Sequence, residues 1–198
     1  MTTSLPTSLQ IDAELLERYD RPGPRYTSYP TAVEFHDGFD ETEYRRCLAA
    51  VGDGDEISLY LHLPFCDHRC HFCGCHVVAT RHLEVAERYL AYVEREINAV
   101  ADALGGRPRV TQYHWGGGTP TYYTPEQMAR LHAAVAARFD IASEAEVAIE
   151  VDPRVTTAAH VETLWELGFN RLSMGVQDFD PVVQEAIGRG QTEAETRS

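Results

Sequence analysis

The 198-residue sequence lacks any apolar run long enough to cross a bilayer, which excludes a membrane-spanning helix. Its start, Met1 to Gln10, lacks both positive charge and an apolar stretch, so no secretory leader is expected. Basic residues are scarce, 17 against 31 acidic ones, for a net charge of -14. That balance argues against nucleic acid and anionic membrane as general partners, though a local basic site for an anionic substrate stays open. A disulfide framework is also missing. The five cysteines are an odd count, and four of them fall between Cys66 and Cys75, a distribution that suits a metal site instead. A soluble, cytoplasmic protein is expected. Hydrophobic residues make up 43% of the chain, enough for a packed core. No internal repeat, low-complexity segment or second domain is expected.

Residues 1–50 read as an N-terminal extension. A short helix is expected over Leu9 to Arg18, followed by Arg21-Pro22-Gly23-Pro24-Arg25-Tyr26-Thr27-Ser28-Tyr29-Pro30, too rich in Pro and Gly for regular structure. The core, 51–198, begins with a strand over Ile57 to Leu63. Leu83, Ala86, Leu90, Val93, Ile97, Val100 and Leu104 recur at helical steps and predict a long amphipathic helix. Val110 to Trp115 predicts a strand stopped by glycines. Thr124-Pro125-Glu126-Gln127 is a capping box that opens a helix with Met128, Leu131, Val135 and Phe139 on one face. A strand over Val147 to Val151, a helix over Thr157 to Leu167 closed by Gly168, a strand over Leu172 to Val176 and a helix from Asp180-Pro181 complete the pattern. The order βαβαβαβα predicts an α/β fold with a parallel sheet, about four βα units of a larger barrel.

The sharpest chemical signal follows the first strand. In Cys66-Asp67-His68-Arg69-Cys70-His71-Phe72-Cys73-Gly74-Cys75 the spacing C-x3-C-x2-C offers three thiolates from one short loop. Such a loop can hold three irons of a 4Fe-4S cluster and leave the fourth open to a substrate. Its place at a strand's carboxyl end is where barrel folds put active sites. A zinc site with Cys75 or a nearby histidine as fourth ligand is the alternative from another class. Gly116-Gly117-Gly118-Thr119-Pro120, after the second strand, lets backbone approach a ligand closely. Glu150 at the end of the third strand could accept from ribose hydroxyls, and reads equally well as a surface charge. Gln177 and Asp178 end the fourth strand in the same way.

Together these segments resemble the radical S-adenosylmethionine (SAM) superfamily, and within it the oxygen-independent coproporphyrinogen III oxidases of haem synthesis. The likeness runs over about residues 18–191. It is carried by Arg25-Tyr26-Thr27-Ser28-Tyr29-Pro30-Thr31, Tyr60-Leu61-His62-Leu63-Pro64-Phe65-Cys66, Cys73-Gly74-Cys75, Trp115 to Pro120, Glu150-Val151-Asp152-Pro153 and Ser173-Met174-Gly175-Val176-Gln177-Asp178-Phe179. The resemblance implies a partial radical SAM (β/α) barrel. It implies that Cys66, Cys70 and Cys73 ligate a 4Fe-4S cluster, and that Tyr60, Gly117, Gly118, Thr119 and Glu150 hold SAM. A second SAM would meet Phe72, Gln177 and Arg189. Cys75 would not ligate, and Cys47 is expected to pack in a helix without a role.

The implied reaction is oxidative decarboxylation of two propionates of coproporphyrinogen III to vinyls by way of a 5′-deoxyadenosyl radical, giving protoporphyrinogen IX. The electron donor would be a flavodoxin or ferredoxin, and the full-length form a monomer. Arg21, Arg25 and Arg189 are candidate cations for the substrate carboxylates. The sequence departs from the family in having His76 where asparagine is commoner, and family members run to more than twice this length. An incomplete and inactive fragment is therefore expected. A radical SAM haem chaperone or haem-modifying relative is the alternative within the superfamily.

Overall fold

The computed structural model describes residues 12–20 and 30–197, which form two compact units, one up to Asp40 and one from Glu41 onward. In the first unit, Asp12 caps helix α1 (Ala13–Tyr19) by accepting from the amides of Glu14 and Leu15. The expected N-terminal helix is thus present from Ala13; Leu9 to Ile11 lie outside the described residues. So do Arg21, Arg25 and the rest of 21–29. One 3-10 turn spans Ala32–Glu34.

The second unit runs α2 (Glu41–Ala49), β1 (Glu56–Leu63), β2 (Phe65–Cys66), β3 (Val78–Ala79), α3 (Leu83–Ala103), β4 (Arg109–Gly117), α4 (Pro125–Ala136), β5 (Asp140–Val151), α5 (Ala158–Glu166), β6 (Arg171–Met174), α6 (Pro181–Ala186) and α7 (Glu193–Arg197). Helix α2 is braced by Glu41–Arg45 and Glu43–Arg46 pairs one turn apart. It packs against α3, which is why this unit starts upstream of residue 51. Cys47 does lie in a helix, α2, but is exposed there and not packed.

Four strands form one parallel sheet in the order β1-β4-β5-β6. All four carboxyl ends therefore lie along one edge, as crossover connections through helices require. Alternation sorts the two faces. Leu61, Leu63, Val110, Tyr113, Trp115, Val147 and Ile149 point into a core shared with Leu90 and Ile97 of α3, Met128 and Leu131 of α4, and Leu164 of α5. Each such large apolar side chain contributes about 1.5–3 kcal/mol by leaving water.

Two strands are longer than the sequence pattern predicts. β4 continues through Gly116 and Gly117 because they still pair with His62 and Leu63 of β1. β5 begins at Asp140 because Asp140 and Ile141 pair with Arg109 and Val110 before the register shifts. Its polar stretch Ser143-Glu144 hides that strand from a pattern reading. The helix caps match expectation. Thr124 and Gln127 form the capping box of α4, and Gly168 takes φ +83° after α5.

Candidate functional site

The cysteine loop is pinned at both ends by the short β2–β3 pair. The Val78 amide donates to the Pro64 carbonyl (2.8 Å) and the Thr80 amide to the Cys66 carbonyl (2.8 Å). Between these ties the loop is held against the end of α6, where the His71 amide donates to the Ile187 carbonyl (2.9 Å). Backbone hydrogen bonds thus set the loop's place before any ligand arrives.

The loop forms one wall of a cavity of about 310 Å³ at the carboxyl ends of the strands. That is at the low end of the roughly 300–1,000 Å³ usual for small-molecule sites. Cys66, Cys70 and Cys73 line it, with Phe72 and Cys75 from the same loop. Gly117, Gly118 and Thr119 come from the end of β4, Glu150 from β5, and Gln177 and Arg189 from the segments after β6. Residues from four separate stretches of sequence are thereby brought to one space. Tyr60 is the exception. It lines a neighbouring, more apolar cavity of about 400 Å³ beside α2 and α3. Its ring stacks on His114 at 5.8 Å, and its hydroxyl bonds to Nδ1 of His62 (3.1 Å).

The glycines answer first to the chain itself. Gly117 has φ +115°, and a Cβ there would stand 2.6 Å from the His62 ring. A Cβ on Gly118 would come within 2.6 Å of the Pro64 carbonyl. The Gly118 and Thr119 amides donate to the Leu63 and Phe65 carbonyls, each at 2.9 Å, so β4 is stitched to the start of the cysteine loop. The Gly117 amide donates to Oε2 of Glu150 (3.3 Å), whose Oε1 lies 3.5 Å from Nε2 of His114. These amides are therefore engaged within the protein, and what this segment can offer a ligand is close approach rather than free N–H groups. Gln177 sits at φ +69° on the rim, an unusual conformation for a side-chain-bearing residue and a sign of local constraint.

Electrostatics distinguish the thiols. Burial pushes the Cys66 thiol up, and Cys73, Asp152 and Cys70 push it the same way, while the Thr119 hydroxyl at 3.3 Å pulls it down. Half-buried thiols in this setting are relieved by bound cationic metal, which deprotonates a coordinating thiol outright. Among the described residues no three His, Cys, Asp or Glu side chains gather closely enough for a single metal ion. Three thiols from one loop lining one cavity are a donor set that thiolate-ligated iron–sulfur clusters use.

Sequence reading missed the buried network beside Cys70. Arg154 and Arg189 each place a guanidinium nitrogen 3.9 Å from the Cys70 sulfur. Arg189, with 9% of its side chain exposed, also donates to Oε1 of Gln191 (2.7 Å) and to the Gly175 carbonyl. It faces the cavity with Nε and Nη2 already bonded to protein oxygens. Asp152-Pro153-Arg154, two positions beyond Glu150, carried no spacing signal that could have pointed to this role. The His76 side chain is exposed, while its carbonyl accepts from Nε2 of His62 (2.9 Å).

Comparison with known proteins agrees with this geometry. The family model described as the radical SAM superfamily matches residues 60–197. The oxygen-independent coproporphyrinogen III oxidase of Escherichia coli (strain K12) is 45% identical over 182 residues, 92% of this chain and 39% of that protein. Its counterpart in Helicobacter pylori (strain J99) is 43% identical over 183 residues, 90% of this chain and 40% of the relative. A solved structure of coproporphyrinogen III oxidase from Escherichia coli, described as a radical SAM enzyme, superposes with a TM-score of 0.84 at 42% identity, covering 95% of this chain and 42% of that one. The chain thus spans about two fifths of the length of these relatives. With the family model matching residues 60–197, well over half of its length, the chain belongs to the radical SAM superfamily.

Proposed function

We propose that this chain forms the cluster- and SAM-binding part of an oxygen-independent coproporphyrinogen III oxidase, an oxidoreductase of haem synthesis. The observation that carries the reading is the meeting of Cys66, Cys70 and Cys73 with Gly117, Glu150 and Gln177 around one cavity. The superfamily implies a 4Fe-4S cluster and SAM. Bound here, they would supply the one-electron chemistry that begins hydrogen abstraction from an unactivated carbon.

The chain's own residues have separable tasks. Cys66, Cys70 and Cys73 hold the cluster, while Cys75, which lines the same cavity but is more exposed, is assigned no ligand role. Thr119 donates to the Cys66 sulfur once that sulfur is a thiolate. Glu150, fixed by the Gly117 amide and His114, keeps carboxylate capacity for ribose hydroxyls. Tyr60 meets Glu150 over Gly116, where a Cβ would lie 3.1 Å from the tyrosine ring and 3.0 Å from the carboxyl carbon. It therefore borders the SAM side of the cavity without lining it. Phe72, Gln177 and Arg189 form the side assigned to a second SAM. Nε and Nη2 of Arg189 donate to Gln191 and Gly175, which fixes its charge on that side of the cavity.

The test is anaerobic reconstitution of the 198-residue chain. About four irons per chain and broad absorbance near 400 nm are expected of a thiolate-ligated cluster. Alanine at Cys66, Cys70 or Cys73 should abolish both, while Cys75→Ala should keep most of the iron. Added SAM should change the electron paramagnetic resonance spectrum of the reduced cluster. Tight stoichiometric zinc in a colourless protein would overturn the reading in favour of a zinc module.

A further inference from the structure

Arg154 is among the most heavily committed side chains of the described residues. Its Nε donates to Asp152 Oδ1 (2.9 Å), and its Nη2 donates to Asp152 Oδ2 and reaches Cys70 Sγ at 3.9 Å. Its Nη1 donates to the Arg189 carbonyl and to Nε2 of His68 (2.5 Å). Since an arginine can only donate, Nε2 of His68 must accept. His68 is then the neutral tautomer that donates from Nδ1 to Asp67 Oδ1 (3.0 Å). The arginine thus links the end of β5 with the cysteine loop at two points, His68 and Cys70.

Charge counting sharpens the point. The side chains of Arg154, Asp152 and Arg189 are only 13%, 9% and 9% exposed, and Arg189 lies 3.8 Å from the same carboxylate. Two guanidiniums share one carboxylate, and His68 adds no charge. One buried positive charge is left over beside Cys70. Glu195 also interacts with Arg154 but is exposed, and its carboxylate is engaged by Thr192, so solvent screens it. Burying a surplus guanidinium is costly unless something anionic faces it. A cluster sulfur with its thiolate ligands is the anionic group this place can accept.

We infer that Arg154 is a positioning residue that donates to the Cys70 sulfur, and that it raises the reduction potential of the cluster bound there. The inference rests on the reading that Cys66, Cys70 and Cys73 hold that cluster. Reduction adds negative charge, and hydrogen bonds to sulfur and nearby positive charge stabilise the reduced state most. A merely structural brace behaves differently. Its loss loosens the loop and admits water, which also stabilises added charge, so the potential stays or rises.

The experiment is a redox titration, followed by electron paramagnetic resonance, of the reconstituted wild-type, Arg154→Lys and Arg154→Met chains, with iron counted in each. Arg154→Met is expected to keep its iron and to show at least a tenfold fall in the ratio of reduced to oxidised cluster at fixed potential. For a one-electron couple that is a shift of about 59 mV to the negative. Arg154→Lys keeps the charge but loses the fork, and should fall between the two. An unchanged or more positive potential in either iron-loaded variant would overturn the inference. If Arg154→Met loses its iron, the lysine variant decides. Loss of iron from both, with circular dichroism unchanged, would make Arg154 a brace for assembly and equally overturn it. Failure of the wild-type chain to assemble iron would instead count against the cluster reading itself.

Discussion

Strands β4 and β6 belong to the same parallel sheet and lead to the same cavity, yet they live in different surroundings. β4 has a strand on each side, and its Val110, Tyr113 and Trp115 are 0% exposed. β6 is an edge strand, and all four of its residues are exposed, Leu172 at 47%. Both alternate apolar and polar residues, so pattern alone does not separate them. Neighbours do. Leu172 of β6 lines an open cavity of about 260 Å³ together with Leu164 and Trp165, which is 80% exposed. Both strands nonetheless end on the cavity rim, β4 at Gly117 and β6 at Met174, just before Gly175, so the site depends on where strands end more than on how deeply each is buried.

Trp115→Ala should break the comparison most strongly. It empties the middle of the core, where Trp115 meets Phe169 at 5.0 Å and Tyr113 at 6.0 Å. The expected loss is about 3–5 kcal/mol, read by urea unfolding. The glycines come next. Gly118→Ala drives a Cβ into the Pro64 and Phe65 backbone, which cannot yield cheaply, and should cost about 1–3 kcal/mol and lower the iron content. At the end of β6, Gly175→Ala meets the amide tip of Gln177, which can swing aside, so a loss under about 1 kcal/mol is expected. Equal losses at the two glycines would show that the rim is as tightly packed at β6 as at β4. The smallest effect is expected from Leu172→Thr. It should shift stability by no more than about 0.5 kcal/mol while reducing light scattering, because it removes apolar surface from an unpaired edge. A large loss there would mean that β6 is far better covered than its exposure indicates.

Much of this architecture was legible beforehand, for identifiable reasons. The α3 stripe, the Thr124 capping box and the stop at Gly168 depend on neighbours within a few residues. The first half of β5 was not legible, because its pairing with Arg109 and Val110 comes before a register shift and involves polar residues. Cys47 was expected to pack and does not, since α2 turns that side chain outward.

The same division holds for the site. The sequence by itself determined the cysteine loop, because C-x3-C-x2-C places three thiols within one turn-sized segment whatever surrounds it. Only the tertiary structure decided that Arg154, 84 residues from Cys70, points at that sulfur, and that Gly118, just past β4, gives its amide to the Leu63 carbonyl on the chain leading into the loop. Contacts of that range depend on strand register, and register is settled by the buried faces of the whole sheet together.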